Sequence, residues 1–148
     1  MNLHIDSPRA NAIYMQHWGG GAVYFSNGQA AVVASINSVG AYSQTSDDRV
    51  KFQEEPIADG LAIVERLKAL RYIKTFRPDD DPSTGWIETG FLAQDVAQIE
   101  GLKHSVTPPD APSEENPAPL YRLDYTQMIP MLVGAIQQLS ARLTALEG

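Results

Sequence analysis

Six apolar residues near the end of the chain, Ile129, Leu132, Ile136, Leu139, Leu143 and Leu146, recur at alternating spacings of three and four. That period belongs to the a/d stripe of an amphipathic helix and to no other regular element. The stripe spans barely two and a half heptads, too short to hold a coiled coil by itself. It is therefore either packed on its own domain or an oligomer seam supported by the rest of the module. Ile at a with Leu at d leans toward two strands on propensity alone. Pro130 near the start predicts a kink in the first turns or a later beginning.

The charges divide the 148 residues in two. Residues 1–45 carry only Asp6 and Arg9, leaving 10 basic and 17 acidic residues from Ser46 onward and the whole net charge of −7 in that part. A composition shift that abrupt predicts two modules, 1–45 and 46–148. The acidic balance argues against a nucleic-acid backbone or an anionic lipid surface as a partner. The absence of cysteine excludes disulfides, thiolate catalysis and zinc–thiolate sites. The longest apolar run, Ala30 to Ala34, has five residues, against the roughly 20 that span a bilayer as a helix. No basic and then apolar segment follows Met1, so no secretory signal is expected.

The first module reads as β. Val23-Tyr24-Phe25-Ser26 and Gln29-Ala30-Ala31-Val32 flank Asn27-Gly28, a strong hairpin signal because a type I′ turn needs positive φ at both central residues. Ile13-Tyr14-Met15 and Ser35-Ile36-Asn37 are further strand candidates, and Gly19-Gly20-Gly21 is a bend with no phosphate-loop context. A piece this short and uncharged suits pairing with copies of itself, as in a fibre stem.

The second module mixes helix and strand. Pro56 is expected to open a helix with its stripe at Ile57, Leu61, Val64, Leu67 and Leu70. Tyr72 to Phe76 reads as a strand, Asp79 to Gly85 as a polar turn, and Trp86 to Phe91 as the antiparallel partner. A short helix over Ala93 to Ile99 follows. Five prolines and three acids between Thr107 and Pro119 mark an irregular loop. Leu120 to Leu123 is one more strand, and Asp124 is placed to cap the last helix. The expected class is α+β, a β-rich stem followed by a small mixed domain that ends in a long amphipathic helix.

Ser46-Asp47-Asp48-Arg49-Val50-Lys51 places a serine and a lysine five residues apart. Such a pair performs acyl chemistry without histidine when the lysine is neutral enough to accept the hydroxyl proton. Free lysine titrates near ~10.4, so a base working near pH 7 needs a shift of roughly three units, about 4 kcal/mol. Arg49 would help lower the lysine pKa, whereas Asp47 and Asp48 would oppose it. Residues five apart point to opposite faces of a strand and lie about 140° apart on a helix. The pair therefore demands a turn over Ser46 to Arg49, for which Ser-Asp-Asp is suitable chemistry. On spacing alone, a Ser-Asp turn followed by solvated charges remains the commoner reading.

The same residues, followed by Pro56-Ile57, resemble the Ser-Asp-x-Arg-Leu-Lys…Pro-Ile opening of the endosialidase-type intramolecular chaperone domain, found at the C-terminus of phage tail spikes and fibres. The similarity continues through Tyr72 and through Thr89-Gly90-Phe91-Leu92-Ala93-Gln94-Asp95-Val96. It resumes at Tyr121-Arg122-Leu123-Asp124-Tyr125 and runs into the terminal helix, covering residues 46–148. The family pattern departs at Phe52-Gln53-Glu54, where polar residues and then an apolar one are more usual.

The resemblance implies a domain that templates folding and trimerisation of the preceding β-fibre and then cuts itself off. Ser46 would be the nucleophile, Lys51 its general base and Thr45–Ser46 the scissile bond, by way of an N-to-O acyl shift resolved by water. It also implies a homotrimer, with the a/d stripe as its seam. The implied partners are further copies of the chain and its own N-terminal fibre segment, with neither nucleic acid nor membrane. The implied location is the virion tail, reached through the host cytoplasm. The alternative is a cap or receptor-binding tip that trimerises and never cleaves. Forty-five residues are few for a whole spike, so Met1 is expected to open a piece of a longer tail protein or a minimal natural chain.

No cofactor or metal is expected. Asp79 to Gly85 lacks the glycine and glutamate of a calcium loop. His4, His17 and His104 share no ligand spacing. Tyr14, Trp18, Tyr24 and Phe25 are read as packing residues in preference to a glycan-binding surface.

Overall fold

A computed structural model describes residues 21–26, 31–114 and 116–148. The strand expected at Ile13 to Met15, the Asn27-Gly28 turn, Gly19-Gly20, His4, His17, Tyr14 and Trp18 lie outside the described residues. The chain divides into two compact units, 1–54 and 55–148, and the Ser46 to Lys51 segment belongs to the first.

In the first unit, strands β1 (Val23–Ser26), β2 (Val32–Ile36) and β3 (Tyr42–Gln44) form an antiparallel sheet in the order β1-β2-β3. Of the candidate strand at Gln29–Val32, Gln29 and Ala30 lie outside the described residues; Val32 belongs to the same strand as Ser35 and Ile36, with a register irregularity at Phe25 and Ser26 of its partner. The β2–β3 turn is built by Asn37, whose Oδ1 accepts from the backbone N–H groups of Val39 (3.1 Å) and Ala41 (2.9 Å). Gly40 supplies the positive φ of 80° that this turn requires. Ala34 is buried, whereas Tyr24, Phe25, Val32, Val33 and Tyr42 are exposed. One small sheet cannot cover its own apolar side chains.

The second unit is mixed. It contains helix α1 (Gly60–Val64), strands β4 (Leu70–Lys74) and β5 (Trp86–Gly90), helix α2 (Ala93–Val96), the short strands β6 (Val106–Thr107) and β7 (Arg122–Leu123), and helix α3 (Met128–Glu147). β4 pairs with β5 and β6 with β7, both antiparallel. The α+β class with small sheets and a C-terminal helix is thus the fold of the chain.

The long helix expected from Pro56 to Leu70 is corrected to the five residues of α1, and Leu70 opens β4. The cause is tertiary. A side chain at Gly60 would meet the Ala135 N and Met131 O atoms of α3 at 2.9 Å, so backbone lies directly on backbone. Gln138 of α3 replaces the missing first turn: its Oε1 accepts from Leu61 N–H at 2.9 Å and its Nε2 donates to Ala58 O. β4 keeps the expected five residues but lies two positions earlier, at Leu70–Lys74, while β5 and α2 end sooner than the sequence pattern suggests, at Gly90 and Val96.

Ile63, Val96, Ile99, Leu102 and Met128 make the core, flanked by Leu67, Phe91, Val106, Leu123 and Met131. The β6–β7 pair closes the proline-rich loop. Asp124 caps a 3-10 turn over Tyr125–Gln127 that runs directly into α3, its Oδ1 accepting from Thr126 N–H at 2.9 Å. Pro130 falls in the first turn of α3, where its missing N–H needs no intrahelical partner.

The face of α3 that packs on its own unit carries Met128, Gly134, Ala135 and Gln138. The a/d stripe lies elsewhere on the helix. Ile129, Leu132, Ile136, Leu139, Leu143 and Leu146 are all exposed in the single chain, Leu132 least at 44 % and Leu146 most at 85 %. No helix of the described residues is long and apolar enough to cross a membrane.

Candidate active site

The site begins where β3 ends. Thr45 extends the strand pairing by one residue: its N–H donates to Val33 O at 3.1 Å and its hydroxyl to Val32 O at 2.6 Å. The chain then leaves the sheet at Ser46. Asp47, in an extended conformation, caps a 3-10 turn over Asp48–Val50, and its Oδ1 accepts from Arg49 N–H at 2.9 Å. Val50 N–H donates to Asp47 O and Lys51 N–H to Asp48 O. Lys51 emerges extended, and its Nζ donates to Ser46 Oγ at 2.7 Å.

The five-residue spacing is thus closed by a tight turn, as the geometry of strand and helix demanded. Ser46, Lys51 and the residues between them are exposed. Phe52 stands 81 % exposed beside the lysine, and Gln53 adopts a positive φ of 59°, uncommon for a residue with a side chain.

Sequence reasoning missed how the turn is held. Arg49 wraps back on Asp47, Nε donating to Oδ1 at 2.9 Å and Nη2 to Oδ2 at 2.8 Å. This two-pronged pairing suits the planar guanidinium. The Arg49 side chain, and after it the Arg49 backbone N–H, hold the Asp47 carboxyl below the usual carboxylate range, and Asp47 raises Arg49 in turn. The one available signal was the Asp-x-Arg spacing inside a turn sequence.

A second feature lies in the second unit. A cavity of about 660 Å³ is lined by Tyr72, Lys74, Glu88, Phe91 and Tyr125 among others. Several of its polar groups pair with their neighbours. Tyr72 donates to Glu88 at 3.2 Å, Lys74 pairs with Glu88 at 3.0 Å, and Tyr125 Oη accepts from Phe91 N–H at 3.1 Å. Burial, with the Glu88 bond second, pushes the Tyr72 phenol up to about 12. Lys74 is the first cause holding Glu88 below its ordinary value.

Elsewhere, Asp81 caps the Pro82–Thr84 turn and Asp80 accepts from Arg77 N–H at 2.8 Å, so the acidic run spends carboxylates on backbone. Among the described residues no cluster of three or more metal-ligating side chains occurs.

A serine and its lysine partner thus stand where the chain leaves a β-sheet, and a small α+β domain with an exposed helical stripe follows in the chain. Residues 46–107 match the family described as the chaperone of endosialidase, which shows the resemblance read from the motif over that segment. The match starts at Ser46 itself. No curated protein matches the chain.

Proposed function

We propose that this chain is the C-terminal intramolecular chaperone of a viral tail fibre or spike, which trimerises, promotes folding of the β-segment before it and releases itself by cutting Thr45–Ser46. The observation that carries the proposal is the 2.7 Å contact between Lys51 Nζ and Ser46 Oγ at the first residue of the family match.

The chemistry balances without a cofactor. Neutral Lys51 takes the Ser46 hydroxyl proton as Oγ attacks the Thr45 carbonyl carbon. The Thr45–Ser46 C–N bond breaks, the proton passes from lysine to the released Ser46 amine, and an ester joins Thr45 to Ser46 Oγ. Water hydrolyses that ester to a Thr45 carboxylate and a free Ser46 hydroxyl. The two hydrogen bonds from Thr45 to β2 hold the acyl side on the sheet.

Both Ser46 and Lys51 are exposed in the single chain, and a lysine acts as base only after losing a proton that water helps it keep. Association supplies the dehydration, so cleavage follows assembly. Three copies meet along the a/d stripe of α3. A template of this kind suits a fibre whose pairing is slow and non-local, and its removal leaves a product held by its unfolding barrier. The chain then acts in the host cytoplasm during assembly, and the fibre resides on the virion tail.

The second reading is a permanent trimer cap or receptor-binding tip, favoured by the solvent exposure of the pair. Intact mass of wild type, Ser46→Ala and Lys51→Ala separates the two. A break between Thr45 and Ser46 in wild type, absent from both variants, supports the autoprotease. A wild type that stays whole as a folded trimer leaves the cap.

A further inference from the structure

Lys51 forms no ion pair among the described residues, although the preceding four positions include Asp47 and Asp48. A lysine paired with a carboxylate keeps its proton, so a carboxylate closing on Nζ would silence it as a base. The structure shows where the capacity of Asp47 goes. Both Asp47 oxygens are taken by Arg49, Oδ1 by its backbone N–H and Nε, and Oδ2 by Nη2. Lys51 is left with the serine hydroxyl.

We propose that Arg49 is a positioning residue for the reaction, holding the Asp47 carboxylate away from Lys51 so that the ammonium has Ser46 Oγ for a partner and can give up its proton. This inference rests on the self-cleavage reading above. The lowered Asp47 and raised Arg49 titrations agree with a charge pair closed on itself.

The surroundings simplify the electrostatics. Strands β1, β2 and β3 carry no charged side chain, and their titratable groups are Tyr24 and Tyr42. The other charges on this segment are Asp48 and Glu54, and neither forms an ion pair among the described residues. Asn at position 47 keeps a cap acceptor but no charge, so it separates the electrostatic role from the turn itself.

The test follows cleavage of the full chain by intact mass from pH 6 to pH 10, with sedimentation confirming equal assembly. The proteins are wild type, Arg49→Gln, Asp47→Asn with Arg49→Gln, and Asp48→Asn with Arg49→Gln. Arg49→Gln slows cleavage by up to about fivefold at pH 7, the upper end of what an exposed ion pair supplies. Its rate rises at higher pH and reaches the wild-type plateau. Adding Asp47→Asn restores the wild-type profile; adding Asp48→Asn does not. An equal loss at every pH, or failure of Asp47→Asn to rescue, would show that Arg49 only shapes the turn and would overturn the inference. Wild type and Arg49→Gln cleaving alike would overturn it while leaving self-cleavage standing. A folded, assembled wild type that stays uncut would sink the self-cleavage reading and this inference with it.

Discussion

Ile136→Ala is the sharpest probe of the seam, because the single chain and the assembled chain predict opposite consequences. In the single chain the Ile136 side chain is 64 % exposed, while α3 packs on its unit through Gly134, Ala135 and Gln138. Truncation there removes little of the unit's own packing, and alanine favours the helix slightly. The monomer fold should therefore change by no more than about 0.5 kcal/mol.

In a trimer the exposed part of each side chain enters the seam. A fully buried isoleucine truncated to alanine costs about 2–5 kcal/mol. Scaling by the 64 % that association would cover gives roughly 1–3 kcal/mol per chain and roughly 4–9 kcal/mol for three copies. The trimer association constant then falls by about three to six orders of magnitude. The concentration at half-assembly rises by about the square root of that factor. Sedimentation velocity across a dilution series measures the midpoint, and far-ultraviolet circular dichroism reports the fold. A midpoint identical to wild type would refute the seam. A loss of helix in dilute monomer would show that Ile136 serves its own unit.

Three further outcomes follow from the packing. Gly60→Ala should destabilise the second unit by about 1–3 kcal/mol, because the new methyl meets α3 backbone at 2.9 Å; urea unfolding measures it. Gln138→Leu should cost about 1–2 kcal/mol in the same assay, since Leu61 N–H and Ala58 O lose their partner together. Asp124→Ala should cost about 0.5–1 kcal/mol at pH 7, the low end for a lost cap at an exposed site. The Thr126 hydroxyl first, and then its backbone N–H, hold the Asp124 carboxyl below its ordinary value. A carboxyl depressed in the folded state contributes stability that is present above its unfolded pKa of about 3.9 and lost as pH falls through its folded value. The gap between wild type and Asp124→Ala should therefore narrow below about pH 4, as thermal melts at two pH values would show.

Periodicity carried most of what was legible. The 3.6-residue period announced α3, and alternation announced β4 and β5 within two residues of their ends. The Pro56–Leu70 stripe misled because its spacing suits a helix followed by a strand as well as one long helix. The decision lay with Gly60 pressed on Ala135, a contact between residues 75 apart in the chain.

At the candidate site, the need for a turn followed from the spacing of Ser46 and Lys51 and the polar residues between them. The way that turn is pinned did not. Sequence gives the signs of Asp47, Asp48, Arg49 and Lys51, whereas the reach and planarity of the guanidinium decide which carboxylate it takes. Thr45 gave no signal of its own, because its hydroxyl bonds to a carbonyl 13 residues earlier.

Native mass spectrometry of freshly folded chain, followed over time, separates assembly from cleavage. A chaperone that assembles and then releases itself gives an intact trimer first, then loss of one Thr45–Ser46 bond per chain within that trimer, with Ser46→Ala arrested at the first species. Cleavage at equal rate in a monomer, or a wild-type trimer still whole after prolonged incubation, would contradict a chaperone that assembles and then releases itself.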